Sequence, residues 1–259
     1  MPRSSTRRKP PSNWGRKRSR GKTLAEDDHR TADNPGGYRP DDPRYGLSGQ
    51  ALLDYYLARP TQFYIRSYYR PGWQDKREKA MDEHLAHVRA HADRIQFAGP
   101  LLKDDGSEPI GTMCIVQADD RAAAKAYAAG DGYAKAGMLE EPEIIRFISS
   151  KRIGQLDRDP DPALQMFVCE CIDGPDAARL RKECAANHHA YQSSIIDKYL
   201  AHGPLRSDDG QTLVGSLFIV EVEDRAAAEK LVGDEPMTKT GVFSDVRIFR
   251  WRYGKSISH

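Results

Sequence analysis

The 259-residue chain has no apolar run approaching the ~18–20 residues that a membrane-spanning helix needs, and no apolar core of a signal peptide, so no membrane insertion is expected. It has only four cysteines, Cys114, Cys169, Cys171 and Cys184. Cys169 and Cys171 are two apart in an apparent strand and share a face, but no second pair stands at metal-ligand spacing. That excludes a disulfide framework and a sequence-encoded metal site. It also predicts reduced thiols, hence a cytoplasmic or organellar compartment. No nucleophile motif, phosphate-binding glycine loop or cofactor fingerprint is present, and no cofactor is expected.

Acidic residues are missing from one place in particular. Residues 1–23 contain no Asp or Glu but nine basic side chains: Arg3, Arg7, Arg8, Lys9, Arg16, Lys17, Arg18, Arg20 and Lys22. The formal net charge is +2, so the other 236 residues sum to 2 − 9 = −7. Residues 1–46 are also poor in aliphatics, and Pro10-Pro11, Pro35-Gly36-Gly37 and Pro40 interrupt any helix there. Such a segment cannot bury enough apolar surface to fold alone. It reads as a basic extended tail: a disordered extension, an Arg- and Ser-rich targeting peptide, or an arm for polyanion. In the last reading the nine cations bind RNA phosphates while Trp14 stacks on a base.

What the rest of the chain has is one unit of about ninety residues, twice, in register at an offset of 104. Gly99-Pro100-Leu101 matches Gly203-Pro204-Leu205, and Asp104-Asp105-Gly106 matches Asp208-Asp209-Gly210. Asp120-Arg121-Ala122-Ala123-Ala124 matches Asp224-Arg225-Ala226-Ala227-Ala228, His84 matches His188, and Arg146 matches Arg250. Of the 88 pairs from 60–147 against 164–251, 24 are identical, which chance does not produce without a gap. The organisation expected is a tail at 1–46, a short docking helix within 47–60 capped by Ser48, a first domain at 61–148, an exposed linker at 149–163 and a second domain at 164–254.

Within the first unit, 61–69 alternates and is aromatic-rich, which predicts a strand. A helical stretch runs from Pro71 to about Gln96, with Met81, Leu85, Val88, Ala92 and Ile95 as its apolar face. An extended segment at 97–101, turn chemistry at Asp104-Asp105-Gly106, a strand at 111–118, a helix capped by Asp120 and a strand at 143–148 follow. The order is β-α-β-β-α-β, a ferredoxin-like α+β fold. A four-stranded sheet with helices on one face needs cover on the other, and two such sheets in one chain can cover each other. The expected architecture is therefore an intramolecular pseudo-dimeric α+β barrel.

The ordered set of a helix histidine, Gly-Pro-Leu, an Asp-Gly turn, an Asp-Arg-Ala-Ala-Ala helix start and an acidic tripeptide before Lys-x-Gly resembles the YCII-related domain family of the dimeric α+β barrel superfamily. The resemblance covers about 180 of the 259 residues and excludes the tail. It implies paired sheets and a His–Asp pair facing a small cleft. Some relatives are enzymes acting on cyclic or chlorinated aromatic breakdown products, and many have no assigned activity. By position the pair is His84 with Asp131, and in the second copy His188 with Glu235, Asp234 being the adjacent acid. The family's Asp-Pro-Phe-like tripeptide stands here as Asp131-Gly132-Tyr133 and Glu235-Pro236-Met237.

A His–carboxylate pair is suited to proton transfer, because the acid orients the imidazole and stabilises its charged form. The same pair can equally be a buried polar bridge. His84, His87 and His91 form one helix stripe, but no further ligand completes a metal set. Arg66, Tyr68, Arg70 and Trp73 read as an ordinary strand edge, or as lining a cleft or an interface. The divergent tripeptides, the fused domains and the basic tail together favour a non-catalytic subunit of an organellar, mitochondrial ribosome or other RNA-containing particle, held by RNA or protein contacts through residues 1–46. A small-molecule lyase or isomerase and a ligand-binding regulatory module are the alternatives.

Overall fold

The computed structural model describes residue 29 and residues 31–34, 36–150 and 153–254. The tail residues expected to bind RNA, from Arg3 to Lys22 and including Trp14, lie outside the described residues. The chain divides into two units, 1–48 and 49–259. In the first, the described residues form turns around the buried Asn34, whose Nδ2 donates to the carbonyls of His29 and Tyr38, each at 2.7 Å.

In the second unit α1 (Gly49–Leu57) precedes a repeated six-element block. The first block is β1 (Gln62–Tyr68), α2 (Gln74–Ala90), β2 (Ile95–Leu102), β3 (Pro109–Gln117), α3 (Arg121–Gly130) with the short α4 (Gly132–Lys135), and β4 (Glu143–Phe147). The second is β5 (Gln165–Asp173), α5 (Ala177–Ser194), β6 (Tyr199–Arg206), β7 (Leu213–Val222), α6 (Arg225–Asp234) with α7 (Pro236–Lys239), and β8 (Phe243–Trp251). Asp120 and Asp224 cap α3 and α6, each accepting from the backbone N–H three residues on, at 2.7 and 2.8 Å.

The eight strands close into one barrel in the order β1-β3-β2-β8-β5-β7-β6-β4. All pairings are antiparallel. The seams between the domains are short: Leu101–Trp251 and Leu102–Arg250 on one side, Arg146–Arg206 and Phe147–Leu205 on the other. Inside the barrel Tyr64, Phe97 and Phe147 of the first domain pack with Leu200, Leu217 and Trp251 of the second, all essentially inaccessible. Each sheet covers the other, as the tandem pattern demands.

Several expectations shift in detail. The first long helix stops at Ala90 rather than near Gln96, because a 3₁₀ turn at Ala92–Arg94 redirects the chain and Ile95 pairs with Val116 as the start of β2. The 149–163 linker is not simply exposed. Gln155 is buried, its side-chain oxygen accepting from Ala98 N–H at 3.1 Å and its amide donating to Gly254 O at 2.9 Å. The C-terminal end of α1 lies against both domains: Tyr56 shares a small cleft with Gln62 and Phe147 of the first, and a Cβ on Gly210 of the second would lie 2.6 Å from the Leu57 side chain.

A candidate active site in the first domain

The first domain holds a cavity of about 730 Å³ between its sheet and helix α2. Its floor comes from the helix-facing side of the sheet, including Ile65, Ser67, Thr112 and Cys114, and its wall from Met81, His84 and Leu85 of α2. The α2 helix sits lightly, with only Ala80 and Val88 buried.

His84 Nδ1–H donates to Asp131 Oδ2 at 2.8 Å. Asp131 lies between α3 and α4, and its other oxygen accepts from the backbone N–H of Tyr133 at 2.8 Å. One side chain thus caps a helix and aims an imidazole, which fixes both. The Tyr133 ring stacks face to face on His84, with centroids 4.1 Å apart and planes within 6°. A Cβ at position 132 would lie 2.5 Å from His84 N, so Gly132 is what lets α4 approach α2 this closely. Divergence of the tripeptide to Asp131-Gly132-Tyr133 therefore builds this site. With Nδ1 engaged, Nε2 is the nitrogen left to exchange a proton with a ligand.

Beyond the dyad, the wall is aromatic and basic. Tyr69 stacks on Trp73 at 4.3 Å, and the Arg77 guanidinium lies 5.8 Å from the Trp73 ring centroid. Arg252 reaches the cavity from the second domain. Burial pushes the Tyr69 hydroxyl well above its ordinary range, while Arg77 and Arg252 act in the opposite direction. The Cys114 thiol is pushed up to about 12 by burial, so it stays protonated. Among the described residues no three His, Cys, Asp or Glu side chains are grouped to hold a metal ion. His87 and His91 of the helix stripe pack with Tyr127 instead, and burial lowers the His87 pKa.

The second copy is built differently. His188 Nδ1–H donates to Glu235 Oε1 at 2.7 Å, both side chains being buried. The space beside this pair is taken by Arg181, the counterpart of Arg77. It is clamped by Asp173 at 2.9 and 2.6 Å and by Ser216 at 3.1 Å, with Met237 Sδ at 3.2 Å. Asp234, the alternative acid, is not brought to the histidine: it lies at the surface, paired with Lys230 at 2.6 Å and Lys239 at 3.0 Å. Arg66 is no strand-edge residue either; it is buried among carboxylates inside the barrel, with Tyr68 beside it. Arg70 lines the cavity. Sequence reasoning passed over Tyr69, Arg77 and Arg252. For Arg77 the signal was present, since Arg77 and Arg181 are an identical pair in the repeat.

These features define a single-chain, two-domain α+β barrel with an open His–Asp cleft. The model of the YCII-related domain matches residues 61–148 and again 166–252, and the chain belongs to that family. A search of curated protein sequences finds no match. Among solved structures, the chain is similar to 5-chloro-2-hydroxyhydroquinone dehydrochlorinase from Burkholderia phenoliruptrix AC1100, at 29% identity over 35% of this chain and 96% of that one, with a TM-score of 0.33. It is also similar to chlorite dismutase from Candidatus Nitrospira defluvii, at 12% identity over 77% and 94% with a TM-score of 0.52. A heme-binding protein from Thermus thermophilus matches at 12% identity over 74% and 91%, with a TM-score of 0.49.

The expectation of a non-catalytic subunit of a mitochondrial ribosome or other RNA particle is overturned. Chlorite dismutase, which shares the fold at a TM-score of 0.52, is an enzyme and not a subunit of an RNA particle. The physical reason lies in the site: the divergence read as decay leaves a cavity open beside an intact His84–Asp131 pair. Among the described residues no helix is long and apolar enough to cross a membrane.

Proposed function

We propose that the first domain is a proton-transfer enzyme, a lyase or isomerase acting on a small cyclic molecule, and that the second domain is its non-catalytic partner. The observation that carries this reading is the His84–Asp131 pair at 2.8 Å on the wall of a cavity of about 730 Å³. His84 Nε2 removes a proton from carbon next to a ring carbonyl. The C–H electron pair moves into the ring as an enolate, and Asp131 stabilises the imidazolium. Return of that proton to another ring atom gives an isomerase; departure of a neighbouring leaving group with its electron pair gives a lyase. Tyr133 and Tyr69, with Met81 and Leu85 on the wall, suit a flat ring.

The test is solvent-deuterium incorporation into a panel of cyclic ketones and hydroxyquinones in heavy water. Exchange is expected with the native protein and should fall ~10²–10⁴-fold in His84→Asn, the usual contribution of a general base. Exchange that persists in His84→Asn, or that falls as far in His188→Asn, would refute the assignment.

A further inference from the structure

The two copies differ at the cleft in a way that identifies what the open one binds. In the second domain a carboxylate is held inside the site by the chain itself: Asp173 receives two hydrogen bonds from Arg181, at 2.9 and 2.6 Å, and Ser216 accepts a third from the same guanidinium at 3.1 Å. Arg181 is 9% exposed there. In the first domain the arginine is retained as Arg77 and the hydroxyl as Thr112, but the position of Asp173 is Tyr69. The carboxylate has been withdrawn and the cavity stands open, with Arg77, Thr112 and Tyr69 all on its lining. Among the described residues no carboxylate forms an ion pair with Arg77 or with Arg252, a second cation on the cavity lining. Arg252 has no equivalent in the second site, where its counterpart is Ile148.

We propose that the ligand of the first domain carries a carboxylate, which Arg77 and Arg252 hold in the place that Asp173 fills in the second domain. Arginine presents two parallel N–H groups to a carboxylate, so the Arg181–Asp173 pair is an internal template for the contact. A ligand anchored this way lies along Tyr69 and Tyr133 toward His84. The assignment rests on the proton-transfer reading only for what the ligand is used for; binding of the anion can be measured by itself.

The experiment compares acid and amide of equal shape by titration calorimetry: acetate and acetamide, benzoate and benzamide, 2-naphthoate and 2-naphthamide. At least one acid should bind about tenfold or more tightly than its own amide, and Arg77→Gln and Arg252→Gln should each weaken it about tenfold, the loss of one charged hydrogen-bonding partner. Arg77→Lys should recover only part, because it keeps charge without the fork. Arg179→Gln, at an exposed arginine of the second domain, should bind like the native protein. Equal binding of acid and amide in every pair, no acid bound up to ~10 mM, or unchanged binding in both arginine variants would overturn the proposal. Acid binding without any deuterium exchange would sink the proton-transfer reading and leave this one standing.

Discussion

Arg66 and Glu170 occupy the same position of the repeat, 104 residues apart, and they are ion-paired to each other at 2.7 Å inside the barrel. Glu143 and Arg247 are likewise one position, with the charges reversed, and lie 3.6 Å apart. Arg66 also pairs with Glu143, and Arg247 lies 3.5 Å from Glu170, which gives a ring of alternating charge. Two copies of the first domain facing each other this way would set Arg66 against Arg66, with the buried Glu170 carboxylate gone and only the half-exposed Glu143 left beside each arginine. The swap makes each domain the other's partner.

Arg66→Met should therefore cost ~3–5 kcal/mol, because it leaves the buried Glu170 carboxylate only the more distant Arg247 as a counter-charge. Adding Glu170→Gln should restore at least half of that loss, since the amide still accepts the Tyr64 O–H, which is 2.6 Å from Glu170 in the native protein. Urea unfolding of the two singles and the double decides it. Strictly additive losses would mean that the two positions are not coupled.

The residues that both copies retained hold the domains together. Arg121 of the first domain reaches Asp208 of the second at 3.2 Å, and Arg225 reaches Asp104 at 2.6 Å. Arg146 and Arg250 donate to the carbonyls of Asp208 and Asp104, at 2.9 and 3.0 Å. The glycine of Gly-Pro-Leu is the closest contact: a Cβ on Gly99 would lie 2.0 Å from Arg252 O, and on Gly203 2.0 Å from Ile148 O. Gly203→Ala should cost ~3 kcal/mol or more, as an overpacked site whose neighbour is backbone. Arg121→Ala, at a half-exposed pair, should cost only ~1 kcal/mol. Thermal unfolding of both variants tests the order, and a milder effect for the glycine would contradict it.

Asp131→Asn and Asp131→Ala should part company. Asparagine still accepts from Tyr133 N–H, so stability should be nearly native while proton transfer drops. Alanine removes the cap as well, at ~1 kcal/mol. In the second domain His188→Leu should leave exchange within about twofold, yet lower stability by ~1–3 kcal/mol, because buried Glu235 loses its side-chain donor. Circular-dichroism melts beside exchange rates separate the two effects.

Acid should weaken the fold through His87. Burial lowers its pKa in the folded protein below the ordinary 6.5, with Asp131 opposing and His91, His84 and Lys135 assisting. Between the folded value and 6.5 the unfolded chain holds a proton that the folded one does not. The stabilisation is complete above pH 6.5 and is lost as pH falls toward the folded value, at no more than ~1.4 kcal/mol per pH unit for one proton. His87→Phe should flatten that slope. An identical pH profile of urea unfolding for variant and native protein would count against it.

The Cys114 thiol, pushed up to about 12, lines the cavity and is within reach of small reagents. Iodoacetamide at pH 8 should nonetheless modify it far more slowly than a free thiol, because the thiolate is the reacting form. Labelling at the rate of a free cysteine would show that burial does not hold the proton.

Strand alternation, the aspartate caps at Asp120 and Asp224, and the 104-residue offset are local or periodic signals that are legible without coordinates. The His84–Asp131 pairing followed from family resemblance. The effect of Tyr133 and Gly132 did not, because stacking and close helix approach are properties of space. Likewise Ile95 looked like the last turn of a helix, and only its pairing with Val116 made it a strand residue.

Repetition and periodicity along the chain were enough to establish two ferredoxin-like domains, the facing of their sheets, and where each histidine stands. Nothing in the linear pattern foretold that the retained arginines and glycines are a domain interface, that Arg66 meets Glu170, or that one cleft is open while Arg181 fills the other. Those outcomes depend on which side chains from distant segments meet and on what space they leave, and neither quantity exists until the barrel has closed.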